Sequence, residues 1–510
     1  MLRSGVTVGS WTMGSRVLGL ARDIVFANAV GASANADAFF VAFKIPNFLR
    51  RLFGEGAFAQ AFVPVFTETR EKEGEASVQR LIDQVAGRFG LILLVISVLG
   101  VLASPWIALV FAPGFADDPG KLELTAELLR WTFPYLGFIS LVAFSGGILN
   151  SIGRFAVPAA TPILLNLSLI GSALFLTPLV SPAVMALAIG VFIAGVVQLL
   201  IQLPPLFRAG LLPTPSLKSD HPGVSKILKL MVPALFGVSV SQINLLLDTV
   251  LASLLVSGSV SWLYYSDRLM ELPLGVIAIA VSTVILPKLS RELAHEDATA
   301  VRQTQSWAIW VVLVLGLPCA VALAAYGELI LSTLFQYGAM QVSDVEAASS
   351  SLMAYAAGLP AFMLIKVLAP HYFAHQDTKT PVKIGVIAML ANMAFNLAFV
   401  WSLGHTGLAL ATSIAAWVNA LLLLAGLHRR GWYRVVGFPI AASLKVALGL
   451  IVMTQMMWLM PWAVDLSQMD VMVRLMWTLL ILGGAGLLYL GTLLTLGIRY
   501  TQLLVPPSAR

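Results

Sequence analysis

The sequence predicts an all-α polytopic membrane protein of about 14 transmembrane helices: two six-helix lobes in a parallel internal repeat, plus two C-terminal helices. Three observations carry that prediction. The chain has 510 residues, of which 59% are hydrophobic and 11% charged. Its mean hydropathy is +0.90, whereas a soluble domain carries about 25% charged residues. Apolar stretches bounded by polar turns recur along the whole length, which leaves no room for a sizeable soluble domain and excludes a soluble enzyme on a membrane anchor. Finally, the chain superimposes on itself at a shift of about 225 residues, with Asp23 falling on Asp248 and Arg154 on Lys379. The 41 glycines, 26 prolines and 9% aromatic content suit closely packed, locally broken helices rather than a barrel of short alternating strands.

Hydropathy and breakers place helices at about 5–31, 36–66, 82–112, 123–152, 157–177, 182–207, 225–256, 262–290, 302–336, 346–375, 380–402, 406–428, 437–460 and 471–498. The first is not a cleavable signal, because Arg16, Arg22 and Asp23 interrupt it where a signal peptide has an unbroken apolar core. Pro46 interrupts the second, and Gly54-Glu55-Gly56 follows directly after Arg50 and Arg51. Six spans then repeat as six spans. The N-lobe covers 1–207, a cytoplasmic linker with Pro213, Pro215 and Pro222 covers 208–223, the C-lobe covers 224–430, and the final helix pair covers 431–510. Because six is even, both halves keep one orientation, a transporter signature. The single cysteine, Cys319, excludes an intramolecular disulfide or a cysteine metal site and reads as a small core residue.

Alternate loops sort by charge. One set carries Arg70, Lys72, Arg80 and Arg88, then Arg154, then Arg208, Lys218, Lys226 and Lys229, then Lys288, Arg291 and Arg302, then Lys379 and Lys383, then Arg429, Arg430 and Arg434. The other set is nearly bare, and its acidic loop at Asp117 and Asp118 holds a single cation, Lys121. The basic loops and both termini are therefore expected in the cytoplasm. The net charge of +6 follows from that topology and needs no nucleic-acid partner.

Charged residues inside spans are costly unless they face protein or water, so they mark a pathway. The first span carries Arg16, Arg22 and Asp23; the second carries Asp37, Lys44 and Arg51 as a heptad stripe beside Asn47 and Arg50; the eighth carries Asp267, Arg268 and Glu271. Guanidinium forks dominate, and they suit carboxylate or phosphate oxygens, so an anionic substrate is expected. The repeat places Arg16, Arg22, Arg50, Arg51 and Arg268 where they can converge on one central cavity, with Gly54, Glu55 and Gly56 as an adjacent gate. The alternatives are pairing of Arg50 and Arg51 with Glu55, snorkelling of Arg22 or Arg268 to an interface, and simple tight packing at the glycines.

Several of these strings resemble the MurJ (MviN) lipid II flippase family of the multidrug/oligosaccharidyl-lipid/polysaccharide exporter superfamily. They are Ser15-Arg16-Val17-Leu18-Gly19 with Ala21-Arg22-Asp23, Ala36 through Asn47, Leu49 through Phe58, Gly258 through Leu269, and Gln376 through Lys383. The likeness covers both six-helix bundles and weakens after about residue 430. The resemblance implies two six-helix lobes, a hydrophobic groove formed by the last two helices, and alternating access driven by membrane potential. The cargo would be undecaprenyl-pyrophosphate-linked disaccharide-pentapeptide, carried across the bacterial cytoplasmic (inner) membrane for cell-wall synthesis. The family's cavity arginines map onto Arg16, Arg22, Arg50 and Arg268, and its cavity acid onto Asp37. Implied partners are lipid II, membrane lipid and cell-wall synthesis proteins. No cofactor is required; the one ion the resemblance brings in is sodium, described in some members on oxygens that map here to Asp248, Asn392, Asn396 and Thr412. Asn396 is an amide where that pattern has a carboxylate, so one formal charge is left.

Other classes are weighed on residues. A membrane glycosyltransferase or lipid phosphatase needs clustered acid/base or metal groups, and of the six histidines only His371 and His375 share a helical i, i+4 spacing. No Gly-rich phosphate loop of the P-loop type is present. The chain is therefore expected not to be an enzyme. The remaining alternatives are a flippase for another polyprenyl-linked oligosaccharide and a cation-coupled drug exporter, the latter expected to line its cavity with acids and aromatics.

Overall fold

The computed structural model describes residues 2–51, 58–218, 220–433, 440–459 and 469–498. Within them the chain is helical, with no strand among the described residues, and nine helices there are long and apolar enough to cross a membrane. It is an all-α multi-pass membrane protein, and it divides into two compact units: Met1–Ser261 with Tyr337–Met340, and Trp262–Gln336 with Gln341–Arg510.

The first unit contains α1 (Leu2–Val30), α2 (Ala34–Arg50), α3 (Ala59–Glu73), α4 (Glu75–Leu102), α5 (Ser104–Phe111), α6 (Pro119–Thr132), α7 (Tyr135–Ser151), α8 (Ala156–Phe175), α9 (Ala183–Leu200), α10 (Leu203–Arg208) and α11 (Pro222–Ser253). Caps explain where several begin. Ser33 Oγ accepts the Ala36 amide to open α2, Asp118 Oδ1 accepts the Lys121 amide to open α6, and His221 Nδ1 accepts the Gly223 amide to open α11. α2 runs through Pro46, whose ring is buried, where the sequence suggests an interruption. The third expected span starts earlier than its apolar run because Glu75 stands in the first turn of α4, where a carboxylate meets the positive end of the helix dipole. The fourth is divided at Phe133-Pro134 into α6 and α7. Phe58, Phe62, Phe66, Phe89 and Phe144 form the core among α3, α4 and α7, with Phe58 and Phe89 stacked 4.4 Å apart between centroids.

The segment 208–223, read as a linker, lies along α4. The Thr214 amide donates to Asp83 Oδ1 at 2.7 Å, the Ser216 amide to the Asp83 carbonyl at 2.9 Å, and Gln79 Nε2 to the Leu212 carbonyl at 3.0 Å. α11, expected to open the second lobe, packs on α3 and belongs to the first compact unit. The short turn 337–340 joins that unit too: the Ala339 amide donates to the Asn28 carbonyl at 3.0 Å. Gly338 has φ +55 there, and a Cβ on it would run into Asn28, so the approach requires glycine.

α12 (Ser259–Pro273) starts in the first unit and passes into the second, followed by a π-helical turn Leu274–Ala278 and then α13 (Ile279–Ala294), α14 (Ala298–Phe335), α15 (Val342–Ala374), α16 (Lys379–Arg429), α17 (Ile440–Leu459) and α18 (Val471–Thr495). α16 contains two expected spans. Gly404, at φ +58 and ψ −136, breaks it between them. α15 and α16 meet through Ala361, Ala416 and Ala420, small residues that bring helix backbones close in a membrane.

Candidate functional site

In the first unit, Arg22 lies on α1 with 7% of its surface exposed. Its Nε and Nη2 both donate to Asp23 Oδ1, at 3.0 and 2.7 Å, and its Nη1 donates to Asn166 Oδ1 on α8 at 3.1 Å. Asn166 in turn donates to the Ser15 carbonyl at 3.0 Å, beside half-buried Arg16. Helical geometry explains the cluster: α1 and α8 pack along their length, so a polar residue of α8 meets the Arg16–Asp23 stretch of α1. A buried guanidinium is tolerable only with such partners, because an unpaired charge at this depth costs several kcal/mol. Arg50 and Arg51 are half-buried at the end of α2, and Arg50 Nε donates to Asn47 Oδ1 at 3.3 Å. Lys44 Nζ donates to Thr249 Oγ1 of α11 at 3.3 Å. Gly54, Glu55 and Gly56, the expected gate, lie outside the described residues.

Asp37, on α2, is 1% exposed and its carboxylate is fully engaged. Oδ1 accepts from the Ser261 amide at 2.9 Å and from Ser261 Oγ at 2.7 Å; Oδ2 accepts from the Gly258 amide at 2.7 Å and from Lys121 Nζ at 3.2 Å. Lys121 also donates to Ser257 Oγ at 3.2 Å and stands 4.0 Å over the Phe115 ring. Sequence reading put Lys121 in an outer loop and gave it no role; the structure buries it to 7% exposure. The one available signal was its isolation, a lone cation in a set of nearly bare loops. Asn166 was also missed, because a single amide in an apolar helix carries no pattern.

In the second unit, Arg268 is half-buried on α12, with Nη1 2.8 Å from Glu271 Oε2 one turn on and its guanidinium 4.9 Å from the Tyr264 ring centroid. Asn392, Asn396 and Thr412 lie on α16 as one hydrogen-bonded chain: Asn396 Nδ2 donates to Asn392 Oδ1 at 3.0 Å, and Asn392 Nδ2 to Thr412 Oγ1 at 3.2 Å. These three side chains are neutral. Asp248 is half-buried on α11 in the first unit. His371 and His375 stack with centroids 5.0 Å apart, and His375 stacks on Trp432 at 3.9 Å. Among the described residues no group of three His, Cys, Asp or Glu side chains is arranged to hold a metal. An apolar cavity of about 430 Å³ lies among α14, α17, α18 and the π-helical turn, walled by Ile277, Leu315, Cys319, Met453, Gly486 and Tyr489. The guanidinium groups among these residues carry the planar forks that suit oxyanions.

The family model described as "Lipid II flippase MurJ" matches residues 26–480. A Vibrio cholerae protein named "Probable lipid II flippase MurJ" is 48% identical over 514 aligned residues, covering 99% of this chain and 97% of its own. A solved "Lipid II flippase MurJ, inward closed conformation" superimposes with a TM-score of 0.81 at 29% identity, over 96% of this chain and 100% of that one. An inward-facing multidrug resistance MATE family transporter of the MOP superfamily shares the fold, with a TM-score of 0.68 at 15% identity over 82% of this chain and 94% of its own. The protein thus belongs to the lipid II flippase MurJ family.

Proposed function

We propose that this protein is a lipid II flippase, moving undecaprenyl-pyrophosphate-linked disaccharide-pentapeptide from the cytoplasmic to the outer face of the bacterial inner membrane by alternating access. The observation that carries this reading is 48% identity over 99% of the chain to a protein named for that activity. Arg16, Arg22, Arg50, Arg51 and Arg268 are the groups we assign to the pyrophosphate; their forks match its paired oxygens better than a point charge does. Asp37 is the acid of the set and Gly54 to Gly56 its gate. Residues 431–510 provide the prenyl-chain groove, a role supported by the apolar cavity against Met453, Gly486 and Tyr489. The protein acts as a transporter and not as an enzyme, with both termini in the cytoplasm and cell-wall synthesis proteins receiving its cargo. Membrane potential drives the cycle. An interior-negative potential contributes about 2.3 kcal/mol per elementary charge per 100 mV, favouring both outward passage of the bound anion and inward return of the unloaded cationic cavity. Depleting the protein in its host should leave lipid II accumulating on the cytoplasmic face; accumulation of a different polyprenyl-linked saccharide there, with lipid II unaffected, would reassign the substrate.

A further inference from the structure

Lys121 has no place in the substrate set, yet it is one of the few buried cations of the first unit and sits against its most heavily bonded carboxylate. The four contacts of Asp37 come from two kinds of element. Lys121 belongs to α6, which packs along α2 and is tied to it again where Thr132 Oγ1 donates to the Ala42 carbonyl at 2.9 Å. Gly258 belongs instead to the turn between α11 and α12, and Ser261 to the first turn of α12, a segment that reaches α2 from more than 200 positions along the chain. Only the first kind of contact survives if that turn withdraws.

We infer that Lys121 is the resident counter-ion of Asp37, a positioning residue that keeps the carboxylate paired while the 257–261 turn docks and undocks during the cycle. This rests on the transporter reading above. With the turn docked, Asp37 has three neutral donors and one cation. With the turn withdrawn, three donors leave together and the ammonium remains. Without Lys121, withdrawal would leave a carboxylate at this depth with neither donor nor counter-charge, a state expensive enough to hold the turn shut. Ser257 fits the same role: its hydroxyl shares the Lys121 ammonium in the docked state, so the cation guides the turn back to its seat. Lys121 is the charged group that acts on Asp37, and the Phe115 ring lies under its ammonium.

The test uses full-length protein in cells, with Cys319→Ala and a reporter thiol at Ser259. That residue, the first of α12, is fully buried and its hydroxyl has no hydrogen-bond partner, so cysteine replaces it at little cost. Labelling by a membrane-impermeant maleimide, normalised to the amount of protein in the membrane, reads withdrawal of the turn whatever the cargo is. Lys121→Gln should slow labelling about tenfold, the equivalent of one charge-assisted hydrogen bond, with flipping falling in step. Lys121→Arg should label like the parent. The doubly neutral Asp37→Asn with Lys121→Gln should recover labelling, since no charge is left to strand. Faster labelling in Lys121→Gln than in the parent would mean that Lys121 merely staples the turn in place. A double variant no better than Lys121→Gln, or absent from the membrane altogether, would equally overturn the proposal. Labelling that follows this pattern while lipid II distribution does not change on depletion would leave the counter-ion role standing and remove the substrate.

Discussion

Replacing Asp23 by asparagine should destabilise the first unit by up to about 2–3 kcal/mol, and the figure follows from the geometry around Arg22. Asp23 Oδ1 accepts two guanidinium hydrogen bonds, at 3.0 and 2.7 Å. Bonds to charged groups contribute about 1.5–3 kcal/mol and neutral ones about 0.5–1.5; the guanidinium keeps its charge, so losing the carboxylate charge but keeping the oxygen removes at most about 1–1.5 kcal/mol per bond. The pair has side-chain exposures of 8% and 3%, so solvent screening does not reduce the estimate. Asp23→Ala removes the acceptor as well and should cost about 3–5 kcal/mol, the range for a buried pair broken on one side. Arg22→Met with Asp23→Ala strands no charge and should recover most of that loss. Thermal unfolding of the purified variants in detergent gives the order: parent and double variant highest, Asp23→Asn a few degrees lower, Asp23→Ala lowest. A double variant as unstable as Asp23→Ala would show that packing, and not charge pairing, governs this corner. Asp23→Asn indistinguishable from the parent would refute the bond-by-bond reasoning.

Three further outcomes follow. A cysteine at exposed Asp117, on a Cys319→Ala background, should react with impermeant maleimide from outside the cell; reaction only from the cytoplasmic side would invert the topology. Glu68 accepts from Lys226 at 2.5 Å and from Lys72 at 2.9 Å, and these bonds, Lys226 foremost, hold its carboxyl down at about 2. A depressed acid stabilises above its unfolded value and loses that contribution as pH falls through the folded one. The melting difference between the parent and Glu68→Gln should therefore be constant above about pH 4.5, shrink towards pH 2 and weaken in high salt, the group being exposed. Collapsing the membrane potential with the sodium gradient held should stop flipping, and the reverse treatment should spare it; sodium dependence abolished by Asp248→Ala would make that residue the coupling site instead.

The spans are legible because the bilayer imposes one length on every apolar stretch, and the break at Gly404 is legible because φ +58 with ψ −136 is open to glycine and strained for other residues. Helix ends are less so. α4 begins at Glu75 in a charged stretch that hydropathy excludes, since caps and dipole effects, not apolarity, set that terminus. The guanidinium residues declare themselves individually, as charges in lipid must. The partners do not: Asn166, bonded to Arg22, and Lys121, bonded to Asp37, acquire meaning only when α8 meets α1 and α6 meets α2, a matter of packing between segments remote in sequence. Likewise the neutral chain from Asn396 through Asn392 to Thr412 depends on which way each amide turns.

The central claim is tested most directly with purified protein in sealed vesicles carrying lipid II on one leaflet and an imposed potential, by following the appearance of lipid II on the opposite leaflet. The account predicts potential-dependent transfer by the parent, with Arg22→Lys and Arg268→Lys both clearly slower at equal protein levels, because a point charge cannot reproduce a planar two-oxygen contact. Parent protein that leaves lipid II on its original leaflet, or lysine variants that transfer it at the parental rate, would contradict the account.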